Sequence, residues 1–448
     1  MRFLQPYIHP QFLEHIIKLG YTTPTPIQKE ALPALLEKND IIAQAQTGSG
    51  KTATFGIGVL HHTDVKRFRV QALIIAPTRE LAQQITQTLQ QLAKYQHNYK
   101  ILLLNGGDSF YRQEKSLSHH AHIIVGTPGR VLKHLDKGNL CLDELKTLVL
   151  DEADKMIDMG FFDEVDAIVQ YTPQTRQTLL FSATYTPQLE DLAQKMTRNG
   201  IHIVAQEVQK PDITQYSVIT TQKEQTLLDT LATLQPSRAI VFTNTKVQTA
   251  QLETFLQEHG VDALALHGDL EHFDRQDVFV QLQNGSLRVL VATDIAARGL
   301  DISNLPVVIN YDFAESTQTY THRIGRTARA GESGVAVTFF EDQVSLQTCT
   351  YASDLQPLQL QHATQTFTLS APNVTIVVHG GKKQKLRAGD IVGALIHEIG
   401  LQGGDIGDIS IYPTHTYVAI QKEVCKEKLM HLDTIVIKSK RYRIDTLI

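Results

Sequence analysis

Residues 40–52 read DIIAQAQTGSGKT: an apolar β-type run, a glycine-rich turn, then the start of the apolar stretch ATFGIGVL, which can continue as a helix. Strand, turn and helix in that order make the context a phosphate-binding loop requires. Backbone amides around Gly48, Ser49 and Gly50 can surround nucleotide phosphates, Lys51 adds a positive charge, and the Thr52 hydroxyl can ligate Mg²⁺. The bland alternative is an ordinary glycine-rich turn, with Ala45 standing where the strict motif has Gly. A second segment strengthens the reading. Leu148, Val149 and Leu150 form a buried-strand pattern that delivers Asp151, Glu152, Ala153 and Asp154 at its end. A carboxylate there is costly unless it serves a cation; Asp151 can hold Mg²⁺, partly through water, while Glu152 orients and deprotonates the attacking water.

Outward from that loop, short β-branched runs alternate with amphipathic stretches: VQALIIA (70–76), AHIIVGT (121–127), LKTLVLD (145–151) and TLLFSAT (178–184). The alternation predicts an α/β domain, a doubly wound parallel sheet with helices on both faces. After the polar stretch AQEVQKPDITQ (205–215) a second series follows: RAIVFTNT (238–245), ALALHG (263–268), RVLVATD (288–294), PVVINYD (306–312) and GVAVTFF (334–340). The likeness of the halves lies in pattern alone, since no direct repeat is detectable. LQPLQLQHATQTFTLSAP (355–372) reads as a linker. The tail then gives strand NVTIVVH, helix DIVGALIHEIG, strands IGDISIY and THTYVAI, helix KEVCKEKLMHL and strand TIVIKSKRYRI. That order is βαββαβ, the split unit of ferredoxin-like and RRM-like folds. The expected division is residues 1–207, a linker at 208–215, residues 216–356, a linker at 357–371, and 372–448.

Composition agrees with several packed domains. The 448 residues are 42% hydrophobic and 20% charged, which supports real cores and excludes a largely disordered chain. No apolar run approaches a membrane span and the start MRFLQPYIHP lacks a signal-peptide core, so a cytoplasmic location is expected, with no membrane partner. Cys141, Cys349 and Cys425 lack paired spacing and are expected to be buried thiols. His61 and His62, and His119, His120 and His122, lack partners for a metal site and are expected at the surface. Net charge is −5, but the tail from Ala371 carries 11 Lys and Arg against 8 Asp and Glu, while residues 1–370 carry 31 against 39. That bias admits a polyanion partner for the tail.

Two cationic patterns give the bias a location. YTHRIGRTAR (320–329) spaces Arg323, Arg326 and Arg329 every third residue, predicting one helix face that needs an anion opposite, with a terminal phosphate as the candidate. In the tail, Lys382, Lys383, Lys385 and Arg387 cluster at a strand-to-helix junction, and Lys438, Lys440, Arg441 and Arg443 surround the last strand. Two basic groups converging on an RNA groove would explain the charge bias. An RRM-like sheet ordinarily stacks bases on two or three aromatic residues, yet the first strand has none and the third offers only Tyr417, so recognition through the basic loop and adjacent helix is expected instead.

Nearly the whole chain resembles the DEAD-box RNA helicases, with two RecA-like domains. Phe3 and GYTTPTPIQ (20–28) resemble the Q motif, which implies that Gln28 reads the adenine edge while Phe3 and Tyr21 pack on the base; Gln46, Thr47, Gly48, Ser49, Gly50, Lys51 and Thr52 would surround ATP. Pro77, Thr78 and Arg79 of PTREL, the pair Gly106 and Gly107, and Thr127, Pro128 and Arg130 of TPGR resemble the motifs that grip RNA. Ser182 and Thr184 of SAT resemble the coupling motif, with Asp154, His322 and Arg323 as further coupling residues. In the second half the resemblance assigns Thr243, Asn244, Gly268, Arg275 and Thr293 to RNA, Gly299 and Asp301 to the ATP ribose, and Arg326 and Arg329 to arginine fingers. Catalysis would fall to Lys51, Asp151, Glu152, Arg326 and Arg329, with ATP and Mg²⁺ as cofactors. Two positions depart from the family: His272 stands where Gln is usual, and Ala328 where Gly is usual.

The segment GGKKQKLR (380–387) with AGDIVGALIHEIGL and IGDISIY is similar to the specificity domain of the bacterial DbpA subfamily, which implies recognition of a 23S rRNA hairpin and a partner in pre-50S particles; no stable protein partner is expected. Because hydrolytic residues divide between the two halves, ATP must bridge a cleft that closes, and RNA and ATP must favour the same closed state. A non-catalytic ATP-binding RNA clamp is the rival from another class, disfavoured by the complete motif set, and a DNA translocase is the rival among enzymes.

Overall fold

The computed structural model describes residues 1–45, 48–205, 212–297, 302, 305–314, 316–328, 333–349, 355–364, 366–430 and 432–447, with the backbone alone at His272. The chain forms two compact units, Met1–Lys210 and Pro211–Ile448.

The first unit is built on seven parallel strands: β1 (Ile41–Gln44), β2 (Ala72–Ile75), β3 (Ile101–Leu104), β4 (Ile123–Gly126), β5 (Thr147–Asp151), β6 (Gln177–Ser182) and β7 (Ile201–Val204), in the spatial order β3-β4-β2-β5-β6-β1-β7. Alternate residues serve opposite faces. Ile41, Ala43, Ile74, Val149 and Phe181 enter one core, and Ile42, Leu73, Leu148, Leu150 and Leu180 the other. Burial on both faces is why these strands read as unbroken apolar runs. Sequence reasoning missed β3 and β7, which lie at the two edges, where burial is incomplete and the apolar signal is short. Register aligns Gln44 with Ser182 and Asp151 with Phe181, so the carboxyl ends of β1, β5 and β6 open on one edge. That edge is where doubly wound sheets form ligand crevices.

The second unit begins with another parallel seven-stranded sheet: β8 (Ile213–Ile219), β9 (Ala239–Thr243), β10 (Ala263–Leu266), β11 (Val289–Thr293), β12 (Val307–Asn310), β13 (Gly334–Phe340) and β14 (Gln356–Pro357), ordered β10-β11-β9-β12-β13-β8-β14. Strand β8 falls partly inside the stretch that reads as polar, because its half-buried residues mix Thr, Gln and Tyr with Ile and Val. The segment that reads as a linker is bound to this domain. Its β14 pairs with β8, Leu369 is buried, and Asp229 accepts the Ala363 amide at 2.9 Å.

The tail forms an antiparallel sheet of β15 (Asn373–Val378), β16 (Ile406–Ile411), β17 (Thr416–Gln421), β18 (Thr434–Ile437) and β19 (Lys440–Leu447), ordered β16-β17-β15-β19-β18. The expected βαββαβ order stands, except that the last strand is doubled into a hairpin. Lys438 and Ser439 take positive φ of 51° and 62°, the paired left-handed conformation of a two-residue hairpin turn. Helices Ala388–Ile399 and Lys422–Lys428 cover one face of the sheet through Ile391, Leu395 and Cys425. The other face packs Val377 and Tyr417 on Val280 of the helix His272–Gln283, so the preceding domain covers it there.

Three surface expectations need correction. Cys425 is buried, but Cys141 is exposed and Cys349 half-buried. His122 is fully buried because both ring nitrogens find partners inside, Nδ1 accepting the Lys100 amide at 3.0 Å and Nε2 lying 3.2 Å from the Val65 carbonyl. The helix carrying Arg323 ends at Ile324, so Arg323 and Arg326 do not share one helix face; Gly325 ends the helix and Arg326 sits in the turn beyond, while Arg329 lies outside the described residues.

Candidate nucleotide and RNA sites

In the first unit, the turn after β1 depends on Gly48 and Gly50, whose φ angles of 87° and 96° favour glycine. Gly50 is also tightly packed: a Cβ there would stand 2.7 Å from Nε2 of Gln28. The buried Gln28 accepts the Thr25 amide at 3.0 Å, so the expected adenine-reading residue abuts the phosphate loop. Phe3 and Tyr21 pack, partly buried, on the adjoining core. Lys51 is buried and its Nζ donates to the Ala45 carbonyl at 2.9 Å; Thr52 follows on the same helix, Lys51–His62, and Ser49 precedes it in the turn. Gln46 and Thr47 lie outside the described residues, as do Gly299, Asp301 and Arg329.

Asp151 ends β5, and Glu152 follows in the left-handed region with φ of 56°, donating its amide to Asp151 Oδ1 at 3.0 Å. A non-glycine residue held there stores strain of the kind found at functional sites. Asp154 binds the next strand's exit: its Oδ2 accepts the amides of Ala183 and Thr184 at 3.1 and 3.0 Å and the Thr184 hydroxyl at 2.9 Å. Ser182 donates to the Thr184 carbonyl at 2.7 Å. The carboxylate segment and the SAT segment are thus one hydrogen-bonded assembly.

On the same unit, Thr78 caps the helix Arg79–Leu92, with buried Pro77 before it. The Arg79 guanidinium lies over Gly106, where a Cβ would stand 2.8 Å from its Nη2. Arg130 donates to the carbonyls of Gly106 and Asp108 at 3.2 and 3.0 Å. Thr127 and Pro128 start the helix that carries it, and a Cβ at Gly107 would stand 4.0 Å from Arg79 Nη1. Arginines and open backbone therefore form a compact cationic surface.

In the second unit, Arg323 is 1% exposed and fully engaged: Nε and Nη2 donate to Asp294 at 2.9 and 2.6 Å, Nη1 to the Asp312 carbonyl at 2.7 Å, and Nη2 to Asn244 Oδ1 at 2.9 Å. The anion opposite Arg323 is Asp294, not a phosphate. Thr243 is fully buried with its hydroxyl 2.7 Å from that of Thr249, so its side chain, expected at RNA, belongs to the core. Asn244 reaches solvent beside it, and Arg275 donates to the Ala296 carbonyl at 3.1 Å near the half-buried Thr293. Gly268 faces open space, His322 is half-buried and Arg326 is buried.

In the tail, Lys382, Lys383, Lys385 and Arg387 are all exposed. Gly381 lies so close to the Tyr412 carbonyl, 2.2 Å from a hypothetical Cβ, that no side chain fits. Lys438 of the hairpin turn donates to the Lys385 carbonyl at 3.2 Å and pairs with Asp390 at 2.7 Å. Lys438 thus brings the hairpin turn against the 380–387 loop. Tyr417 is buried and donates to Asp277 at 2.7 Å, which removes it as a stacking surface.

Family profiles match this chain in three places: DEAD/DEAH box helicase over residues 25–192, helicase conserved C-terminal domain over 222–331, and DbpA RNA binding domain over 375–446. The ATP-dependent RNA helicase DbpA of Escherichia coli (strain K12) is 45% identical over 446 residues, 98% of this chain and 97% of that protein. The chain belongs to the DbpA subfamily of DEAD-box RNA helicases. The DbpA helicase of Bacillus subtilis (strain 168) is 36% identical, with 95% of each chain covered. Among solved structures, Saccharomyces cerevisiae Dbp5 bound to RNA and ADP BeF3 is similar with a TM-score of 0.71 at 32% identity, over 79% of this chain and 94% of that one. The helicase is accordingly an ATP-dependent enzyme that binds RNA.

The electrostatics of the first unit suit that chemistry. Burial, opposed by Lys51 and assisted by Glu152, pushes the Asp151 carboxyl up to about 6. Burial acts on Asp154 too, but the Lys51 charge and the Thr184 amide outweigh it and hold that carboxyl below its ordinary range. The sequence reading missed Lys155, buried and 2.7 Å from Glu152 Oε2; its place at i+3 on a short helix was the available signal. It also missed Asp294, which leaves β11 much as Asp151 leaves β5.

Proposed function

We propose that this helicase remodels structured RNA of the large ribosomal subunit in the cytoplasm, 23S rRNA in pre-50S particles, and that the tail directs it to one rRNA hairpin. The observation that carries the reading is the convergence of the 380–387 loop with the Lys438–Ser439 turn, beside a sheet whose other face is closed. Basic loops that bind phosphates while contacting unpaired bases suit a hairpin better than a uniform duplex.

Within the enzyme, Thr52 and Asp151 would hold Mg²⁺; a buried carboxyl driven toward its protonated form fits a divalent cation, which neutralises charge on the transferring phosphoryl group. Glu152 orients and deprotonates water, Lys51 holds phosphate, and Gln28 with Phe3 and Tyr21 receives the base. Gly299 and Asp301 meet the ribose. Arg326 and Arg329 act as arginine fingers when ATP and RNA bring the two halves together, distorting one RNA strand and separating a few base pairs. Arg326→Ala is expected to retain nucleotide binding and slow hydrolysis about a thousandfold; near-normal turnover removes that role. For the RNA target, ATPase activity is titrated with 23S fragments carrying either the intact hairpin or a loop-substituted copy. At least tenfold weaker half-saturation for the altered loop is expected, and equal curves overturn the assignment.

A further inference from the structure

The cationic surface of the first unit has an aromatic neighbour that no motif accounts for. Immediately after the Gly106–Asp108 carbonyls that bind Arg130 comes the helix Phe110–Leu117. Its first residue, Phe110, stacks on His134 with ring centroids 4.1 Å apart and an interplanar angle of 3°, and lies under two cations, Arg130 at 5.7 Å and Lys133 at 5.3 Å. That stack fixes the start of the helix, since His134 is itself fully buried and bonded to Gln113 at 3.1 Å. The next residue, Tyr111, points elsewhere. At 70% it is the most exposed large apolar side chain among the described residues. Exposed Arg112 and Lys115 share its helix against one acid, Glu114.

A tyrosine bare to solvent at the rim of an arginine surface, on a helix braced by a buried stack, has the make-up of a single-strand platform: cations for the backbone, a flat ring for a base. We propose that Tyr111 is a base-stacking point for single-stranded RNA, one step beyond the Arg79, Gly106, Gly107 and Arg130 surface. The ring receives a base of any identity, and Arg112 and Lys115 attract the flanking phosphates. The proposal rests on the RNA-helicase identity of the chain and is independent of the ribosomal target. A protein partner at the same ring would leave RNA binding untouched.

The full-length enzyme, held with a nonhydrolysable ATP analogue, is titrated with fluorescent single-stranded RNA of uniform sequence. Tyr111→Ala is expected to bind about tenfold more weakly, the scale of one lost base stack, while Tyr111→Phe stays within twofold of the parent. In a second measurement, 2-aminopurine is moved stepwise along the strand; one position should show quenching by the parent enzyme that disappears in Tyr111→Ala. Unchanged affinity in Tyr111→Ala, equal losses in the Ala and Phe variants, or no Tyr111-dependent quenching at any position would each overturn the proposal. Arg130→Ala serves as the control: its loss of binding with Tyr111→Ala unaffected shows an intact RNA surface that lacks the stacking point.

Discussion

Asp151 illustrates how burial sets chemistry. Its carboxyl, ordinarily near 3.8, is pushed up to about 6 because burial outweighs the pull of Lys51. The folded chain holds this proton more tightly than the unfolded chain, so above pH 6 the bare carboxylate costs stability that a bound cation returns. Mg²⁺ with nucleotide should therefore raise the melting temperature clearly at pH 7.5 and less at pH 5.5, with the half-saturating Mg²⁺ concentration rising about tenfold for each pH unit below 6; a pH-independent Mg²⁺ requirement would contradict this. Ala328 is a different case. It holds φ of 54° where the family usually has glycine, a conformation that costs an L-residue roughly 1 to 2 kcal/mol. Ala328→Gly should relieve that strain, less the entropy a glycine adds to the unfolded chain, for a net gain of up to about 1 kcal/mol in denaturant unfolding.

The strand ends explain why side chains remote in sequence act together. Asp151 leaves β5, and Ser182 ends β6, so adjacent parallel strands bring Asp154 within hydrogen-bonding reach of Thr184. The short helix Asp294–Ala297 after β11 does the same for Asp294 and Arg323. Arg323 is the largest fully buried side chain among the described residues, and its charge is compensated chiefly by Asp294. Asp294→Ala leaves a buried guanidinium without its carboxylate and should destabilise this unit by about 3 to 5 kcal/mol. Urea unfolding of the full chain checks it; a loss below about 1 kcal/mol would mean that the Asp312 carbonyl and Asn244 suffice.

Across the second unit, the segment before the tail is structural. Asp262 collects the Ala371 amide at 2.7 Å and Lys422 at 2.8 Å, and Asn284 bonds the buried Thr375 at 2.9 Å, so the tail sheet is tied to the preceding domain at several points. Where the chain is cut therefore matters. Ending it at residue 371 keeps β14 and Leu369 in place and is expected to preserve basal ATPase while losing the hairpin selectivity proposed for the tail. Ending it at residue 354 also removes the buried Leu369, worth roughly 1.5 kcal/mol or more, and the half-buried Leu358 and Phe367 that pack against the core, worth less each. Calorimetry should show a lower transition temperature for the second unit in the shorter chain alone; equal temperatures would make the segment a passive tether.

Local chemistry was legible without coordinates wherever a motif is contiguous: the glycine turn with Lys51, the Asp151–Asp154 run, the basic loop at 380–387 and the parallel-sheet pattern all depend on neighbours in the chain. Edge strands β3 and β7 escaped because half-exposed runs of four residues carry too little periodicity. Partnerships escaped for another reason. That Asp294 neutralises Arg323, that Lys155 pairs with Glu152, that Tyr417 is spent on Asp277 and that Thr243 turns inward depend on which groups folding brings within about 3 Å. Burial then makes those pairings obligatory, since a charge or hydroxyl removed from water must find its partner inside the protein.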